Sequence, residues 1–116
     1  MCFHNVLGML EDLLEPQEMI VFREEFSDLE YADEIYHELA ISNKRVLFYR
    51  RTGLLFKKDK SASISLANIQ SVNFHEKGVI RKKGLLQIHL GKSVIPLEGK
   101  LSEIKHLYQN LVSLIK

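Results

Sequence analysis

The sequence predicts one mainly β domain, in which seven antiparallel strands form a bent sheet or partial barrel and a C-terminal amphipathic helix caps it. Short segments of alternating apolar and polar residues, separated by turn residues, recur between positions 17 and 99. From about Leu101 the spacing of the apolar residues becomes helical. The length of 116 residues suits a single domain. We therefore divide the chain into an N-terminal helix, residues 1–16, and the domain itself, residues 17–116.

The first sixteen residues predict an amphipathic helix of about three turns that ends before Pro16. Its apolar residues recur every three or four positions: Phe3, Val6, Leu7, Leu10, Leu13 and Leu14. Because so short a helix is marginal alone, this apolar stripe must contact its own domain or another subunit. A membrane-surface helix is less favoured, since the polar face carries acids where lysines are typical. The candidate contacts beyond the core are Phe3, Leu7, Leu10 and Leu14.

Seven segments have the composition and the two-residue alternation of strands. We predict them at residues 17–26, 35–41, 46–49, 63–66, 69–75, 85–90 and 93–97. An acidic connection, residues 27–34, joins the first two. Ser42 and Asn43 form the turn of a hairpin, because Asn tolerates a tight reversal of the backbone.

Two of these strands and the last helix carry further expectations. Alternation places His37 on the apolar face of the second strand, where we expect a hydrogen-bonded, partly buried histidine instead of a ligand. Pro96 cannot donate a ladder hydrogen bond, so we expect the last strand to lie at a sheet edge or to end there. The C-terminal helix presents one apolar face: Ile104, Leu107, Tyr108, Leu111, Leu114 and Ile115.

One stretch of the chain carries a recognisable pattern of strand and turn residues. Its members are Ser42, Asn43, Lys44, Arg45, Val46, Leu47, Phe48, Tyr49, Gly53, Ile64, Leu66, Ile69, Ser71 and Val72. They resemble the bacterial pleckstrin-homology-like domains, whose pattern runs Thr/Ser-Asn-Lys-Arg, apolar strand, Gly loop, Ile-x-Leu and Ile-x-Ser-Val. The resemblance covers residues 18–116 and implies seven strands with a C-terminal helix in one open end of the barrel. These positions hold strands and turns together, so the resemblance implies a fold and no specific function.

The resemblance also bears on lipid binding. Pleckstrin-homology domains that bind phosphoinositides usually place Lys and Arg at the end of the first strand and in the loop after it. This chain has acids there, with only Arg23 nearby. Because like charges repel a phosphorylated headgroup, the comparison implies that this mode of lipid binding is disfavoured.

Charge is divided along the chain, although the net charge is only +1. Residues 1–42 contain eleven acids against Arg23 alone, whereas residues 43–116 contain fifteen Lys and Arg against four acids. Such a division attracts an anionic partner, or joins the acidic edge of one subunit to the basic edge of another. Equally, strands of opposite charge neutralise each other across a sheet. The sequence leaves these alternatives open.

Two basic segments supply the candidate residues for binding an anion or a membrane. The first surrounds an apolar trio, residues 54–56, which we expect to lie in a strand or to pack inward. The second follows Gly78. The candidates are Arg50, Arg51, Lys57, Lys58, Lys60, Arg81, Lys82 and Lys83.

No set of residues predicts catalysis or metal binding. The five histidines fall on separate predicted elements, and Cys2 is the only cysteine. No glycine-rich phosphate loop precedes a helix. The sequence therefore predicts a non-enzymatic protein without a metal or a cofactor.

The expected location is the cytoplasm. The longest apolar runs contain only four residues, whereas a transmembrane helix takes about 20. Met1 is not followed by the basic region of a secretory signal. A single cysteine also fits a reducing compartment.

These observations predict a binding or scaffold module that associates with itself or with another protein. The alternative is peripheral binding to an anionic membrane through the basic loops. Nucleic acid is the weakest option and is not expected, since few aromatic residues interleave with the basic ones and the domain is nearly neutral. Charge-driven membrane binding weakens with salt and requires anionic lipid, while a helix-mediated oligomer survives salt.

Overall fold

A seven-stranded antiparallel sheet and one α-helix form the part of the chain that the computed structural model describes, residues 13–52 and 58–115. At residues 51, 52, 58 and 59 only the backbone is described. The elements are β1 (Ile20–Tyr31), β2 (Glu34–Ser42), β3 (Arg45–Thr52), β4 (Lys58–Ser65), a 3-10 turn (Leu66–Asn68), β5 (Ser71–Lys77), β6 (Lys83–Leu90), β7 (Ser93–Lys100) and α1 (Leu101–Ile115). The sheet order is β4-β3-β2-β1-β7-β6-β5. The predicted sheet and C-terminal helix are confirmed.

The long strand β1 bends the sheet and joins its two halves. Its register with β2 shifts between Glu25 and Leu29, where three residues of β1 stand opposite one residue of β2. Such a bulge kinks a strand and increases its twist. Past the bulge, Glu30 pairs with Glu98 of β7. The end of β1 therefore connects the β2–β4 half of the sheet with the β5–β7 half.

The acidic connection predicted at residues 27–34 is wrong over most of its length. β1 continues to Tyr31, and only Ala32 and Asp33 form the turn, with positive φ angles of 54° and 64°. Leu29 is completely buried between two exposed acids. This is the alternation of a strand. It is not recognisable in the sequence because the acidic side chains on the solvent face resemble those of a polar connection.

The predicted burial of His37 is also wrong, because the bulge shifts the alternation along β2. Tyr36 points into the core instead and is only 2% exposed. His37 is exposed, and its Nδ1 lies 3.0 Å from the carbonyl oxygen of Ser27. Leu39 and Ile41 still face the core, so the core-facing position has moved by one residue only on the Tyr36 side of the bulge.

Pro96 lies on β7, which is inside the sheet order and continues to Lys100, so the prediction of an edge strand or of a strand that ends at Pro96 is wrong. The described register between β1 and β7 consists of Glu30 opposite Glu98. Pro96 is paired with Gln87 of β6 and lies beyond that contact with β1. The missing N–H of Pro96 is tolerated because the described register places no residue of β1 opposite this part of β7.

Helix α1 packs on β5, β6 and β7 and completes the core. Ile104, Leu107 and Leu111 are fully buried, and each burial of this kind contributes about 2 kcal/mol. Gly84 of β6 permits the close approach, because a Cβ at this position would lie 2.5 Å from the Cβ of Ile104. Most of the apolar face predicted from helical spacing therefore contacts the sheet, but the prediction is wrong for Leu114, which is 39% exposed.

The predicted N-terminal helix falls largely outside the described residues, and so do Phe3, Leu7 and Leu10. Residues 13–16, which the prediction includes, form turns and irregular backbone instead of helix. Leu14 packs on the outer face of the chain's own sheet. The described end of the segment therefore contacts its own domain.

Candidate functional site

The connection between β5 and β6 exposes two aliphatic side chains at its tip. Val79 and Ile80 are 92% and 95% exposed, the highest values among the large apolar residues in the described chain. The backbone turns at Gly78, which has a φ of 94°. A Cβ there would lie 2.3 Å from the carbonyl oxygen of Arg81, so the turn requires glycine. Apolar groups displayed in this way are candidates for contact with another surface.

Three lysines form a row across the exposed face of β5, β6 and β7, directly below this tip. Lys83 is the register partner of Lys77 on β5 and of Lys100 on β7. Residues directly opposite each other project from the same face of a sheet, and like charges in this arrangement are destabilising. A bound anion would offset that repulsion.

The cations near the tip are only partly neutralised. Lys77 donates to the Glu98 carboxylate at 2.8 Å, which raises the pKa of Lys77. Lys82 lies 3.7 Å from the Glu76 carboxylate. Three cations have no carboxylate within ion-pair distance among the residues described: Arg81, Lys83 and Lys100. We call the surface formed by the row and the loop the basic tip, which consists of Lys77, Val79, Ile80, Arg81, Lys82, Lys83 and Lys100.

The first predicted basic segment lies on the β3–β4 hairpin, at the opposite edge of the sheet. Arg50 and Lys60 bind the two carboxylate oxygens of Glu34, at 3.1 and 2.6 Å. These contacts, above all that of Lys60, lower the pKa of Glu34. Acidic and basic parts of the sequence therefore neutralise each other here, which was one of the predicted alternatives. The other side chains of the segment lie outside the described part: Arg51, Lys57 and Lys58.

The turn between β1 and β2 carries acids. Glu30, Asp33 and Glu98 line a cavity of about 390 Å³ between this turn and the start of β7, together with Tyr31 and Pro96. Carboxylates at this density repel a phosphate group. The cavity is consistent with the expectation that no phosphorylated headgroup binds at this turn.

The Ser-Asn-Lys-Arg motif binds the segment that precedes β1. The backbone N–H of Asn43 donates to the carbonyl oxygen of Met19, and the N–H of Met19 donates to Oδ1 of Asn43, both at 2.9 Å. Arg45 donates to the two carboxylate oxygens of Glu18 at 2.9 and 3.0 Å. It also donates to the carbonyl oxygen of Leu13 at 2.6 Å. The motif therefore holds the incoming chain as well as its own turn.

Glu18 lies at the centre of these contacts, and its side chain is fully buried. It accepts hydrogen bonds from the Ser42 hydroxyl and from the backbone N–H of Glu15, in addition to those from Arg45. The guanidinium of Arg45 lowers the pKa of Glu18 from 4.5 to about 2, although burial opposes the shift. We call Glu18, Ser42, Asn43 and Arg45 the N-terminal clamp.

Two further described histidines lie within hydrogen-bonding distance of side chains on other elements. His89 lies 3.0 Å from the side-chain nitrogen of Asn73, and His106 lies 2.9 Å from the Glu24 carboxylate. In residues 13–52 and 58–115, no three His, Cys, Asp or Glu side chains are grouped so as to hold a metal ion. No helix in these same ranges is long and apolar enough to cross a membrane. The absence of catalysis and of a cofactor stays a prediction.

Part of the basic tip is recognisable in the sequence and the rest is not. Arg81, Lys82 and Lys83 were found because they are consecutive, whereas Lys77 and Lys100 join them only through strand register. A signal for the exposed pair was present in the sequence, since two aliphatic residues stand between a turn glycine and a basic triplet.

Comparison with solved structures identifies the fold. A pleckstrin homology domain from Shewanella amazonensis SB2B matches with a TM-score of 0.59 at 13% sequence identity, over 92% of this chain and 95% of that chain. A DUF1696 family protein with a pleckstrin-homology domain from Shewanella loihica PV-4 matches with a TM-score of 0.62 at 13% identity, over 97% of this chain and 92% of that chain. No protein-family model and no curated protein matches the chain. The chain therefore has the pleckstrin-homology fold, which confirms the fold implied by the sequence resemblance.

Proposed function

We propose that this chain is a non-catalytic binding module that attaches to anionic lipid surfaces through the basic tip. The observation that carries the proposal is the exposure of Val79 and Ile80 directly above a row of lysines. The boundary between headgroups and acyl chains accepts both kinds of side chain at once. Aliphatic groups enter the acyl region, while Lys and Arg remain with the phosphates.

The expected energies are sufficient for reversible attachment. Transfer of Val79 and Ile80 out of water contributes about 2 kcal/mol each. Each Lys or Arg close to an anionic surface contributes about 1 kcal/mol. Stable attachment generally takes two signals, one apolar and one electrostatic. The basic tip combines the two within one hairpin and the adjoining strand.

Other partners fit the surface less well. A nucleic acid would leave the two aliphatic side chains in water, and the basic tip has no aromatic residue on which a base can stack. An acidic protein would complement the charge of the basic tip but would not by that charge bind the two aliphatic side chains. In the cytoplasm, where the sequence predicts this protein, the anionic inner leaflet offers both components. Self-association or binding of another protein was predicted through the N-terminal helix or through the charge division. Of the helix candidates, Phe3, Leu7 and Leu10 lie outside the described residues, and Leu14 packs on its own sheet.

The test is sedimentation of the full chain with vesicles of phosphatidylcholine, with and without phosphatidylserine. We expect binding only with phosphatidylserine, and weaker binding at high salt because the charges are screened. Ile80→Asp should weaken binding by at least about 30-fold, since about 2 kcal/mol of apolar transfer is lost and the anionic surface repels the new carboxylate. The double variant Arg81→Gln and Lys82→Gln should weaken it to a similar extent.

A matched control removes the same charge elsewhere. Lys92 lies in the β6–β7 turn and Lys105 on α1, and both are exposed. Their double replacement by glutamine should leave vesicle binding within about threefold of the original. Equal losses in both double variants would contradict a localised site. Sedimentation that does not depend on phosphatidylserine, or that is absent with both vesicles, would overturn the proposal and leave a protein as the partner.

A further inference from the structure

A cavity of about 590 Å³ adjoins the basic tip, between the bulge of β1 and the end of β7. Its charged lining residues are Asp28, Glu30, Lys83, Glu98 and Lys100. Cavities that bind small molecules usually have volumes of roughly 300–1,000 Å³. Because Lys83 and Lys100 also belong to the row of lysines in the basic tip, a lipid held by the tip would have its headgroup beside this cavity.

Opposite charges line the cavity without forming ion pairs with each other. Among the side chains that the structure describes, Lys83 and Lys100 have no carboxylate within ion-pair distance. Asp28 and Glu30 have no described cation within that distance. Two cations and two carboxylates can therefore bind a ligand that carries both charges.

The two kinds of charge follow in order from the tip. Lys83 and Lys100 stand opposite each other at the ends of β6 and β7 that are nearest the tip. Glu98 lies two residues back along β7 on the same face, about 7 Å away, and stands opposite Glu30 of β1. Lysines directly opposite each other repel, and so do glutamates. Lys77 offsets part of the repulsion between the glutamates, because it binds Glu98 and lies in the field of Glu30.

A phosphoethanolamine group presents its charges in the matching order. Counted from the acyl chains of a lipid, the phosphate comes first and the primary ammonium second. An ammonium of this type donates three N–H hydrogen bonds, which carboxylates accept. The choline headgroup has a methylated nitrogen without an N–H. The serine headgroup adds a carboxylate, which Asp28 and Glu30 repel, and a second phosphate would be repelled in the same way.

We infer that this cavity selects a lipid headgroup with one phosphate and one primary ammonium, as in phosphatidylethanolamine. Lys83 and Lys100 bind the phosphate, while Glu30 and Asp28 accept hydrogen bonds from the ammonium. The inference rests on the proposed attachment of the basic tip to anionic lipid, which brings the cavity to the membrane surface. It adds selectivity for a second lipid of that surface. Free phosphoethanolamine has the same chemistry, but the shared lysines favour the lipid as its source.

The test compares two kinds of vesicle with the same fraction of phosphatidylglycerol, an anionic lipid without an ammonium. The remaining lipid is phosphatidylethanolamine in one and phosphatidylcholine in the other. We expect the full chain to bind the first about tenfold more tightly, which is the effect of one charge-assisted hydrogen bond. Glu30→Gln should remove this preference and keep the binding to the phosphatidylcholine vesicles, since Glu30 is exposed and does not touch the phosphate.

Asp33→Asn is the matched control. It removes one carboxylate from the adjoining turn, but Asp33 does not line this cavity. Asparagine also accepts its positive φ of 64°. This variant should keep the tenfold preference. Equal effects of Asp33→Asn and Glu30→Gln would contradict a local contact with the ammonium.

A soluble probe separates recognition of the headgroup from an effect of lipid packing. O-phosphoethanolamine, added to the isotope-labelled full chain, should shift the amide signals of Lys83 and Lys100 more than phosphocholine does. Equal binding to the two vesicles, or a preference that Glu30→Gln leaves intact, would overturn the inference and leave the proposed function standing. Amide shifts together with equal vesicle binding would identify the free compound as the ligand and overturn the assignment to lipid. Absence of binding to either vesicle would overturn the proposed function itself.

Discussion

Replacement of Glu18 by glutamine tests how the N-terminal clamp is held. Every polar partner of the carboxylate is a donor: the Ser42 hydroxyl, the Arg45 guanidinium and the backbone N–H of Glu15. Glutamine keeps the shape of the side chain but presents an NH₂ group to some of these donors. It also leaves the charge of Arg45 without its counter-ion. The substitution therefore removes the buried half of an ion pair whose arginine side chain is 23% exposed.

The pKa of Glu18 determines the expected magnitude. The pKa falls from 4.5 to about 2, mainly through the hydrogen bonds from Arg45. Each pKa unit corresponds to about 1.4 kcal/mol, so the ionised carboxylate contributes roughly 3 kcal/mol at pH 7. Removal of one partner from a buried pair typically costs about 3–5 kcal/mol. We expect Glu18→Gln to lower the free energy of unfolding by about 3 kcal/mol.

The same pKa shift predicts how this difference depends on pH. The folded-state pKa lies below the unfolded-state value of 4.5, so the contribution is complete above that value and is lost as the pH falls towards about 2. At a pH of about 3, roughly 1.4 kcal/mol of the contribution remains. The difference between Glu18→Gln and the natural chain should therefore shrink by more than half between pH 7 and pH 3.

Urea unfolding followed by circular dichroism measures both quantities. Glu15→Gln is the matched control, because Glu15 lies in the same segment but its side chain is exposed. Its Oε1 forms a longer ion pair with Nζ of Lys44, at 3.4 Å. An exposed pair of this kind contributes at most about 1 kcal/mol. Equal destabilisation by the two substitutions, or a loss for Glu18→Gln that is the same at pH 7 and pH 3, would refute this account of the clamp.

Two further predictions concern the packing of α1, and thermal unfolding measures both. Gly84→Ala should lower the free energy of unfolding by about 1–3 kcal/mol, because the new Cβ overlaps Ile104. The control Gly91→Ala, with no atom within 4 Å of the new Cβ but a φ of 59°, should cost only about 1 kcal/mol. A larger loss for Gly91→Ala than for Gly84→Ala would contradict the close contact. Leu107→Ala removes a fully buried side chain and should lower the free energy of unfolding by about 2–5 kcal/mol. Leu114→Ala, at a residue that is 39% exposed, should cost less than about 1 kcal/mol. Similar losses for the two substitutions would show that α1 packs on the sheet through a different face.

Several elements were predictable because their signals are local. The β2–β3 hairpin, the corner between β4 and β5 and the face of α1 follow from turn chemistry and from periodicity over a few neighbouring residues. The run Arg81-Lys82-Lys83 was visible for the same reason. The strand character of residues 27–31 and the exposure of His37 were not, because both depend on a bulge whose effect is defined only by pairing with another strand.

By itself, the sequence determined most of the segments that become strands or helix, where most turns lie and which half of the chain is basic. Backbone preferences and amphipathic spacing act between neighbouring residues, so they can be recognised without a partner strand. Only the tertiary structure decided that Lys100 stands beside Lys83, that Glu34 neutralises Arg50, and that Glu18 is buried against Arg45. Register and burial arise between residues distant in sequence, and the same charge is solvated, paired or unpaired according to what the fold places opposite it.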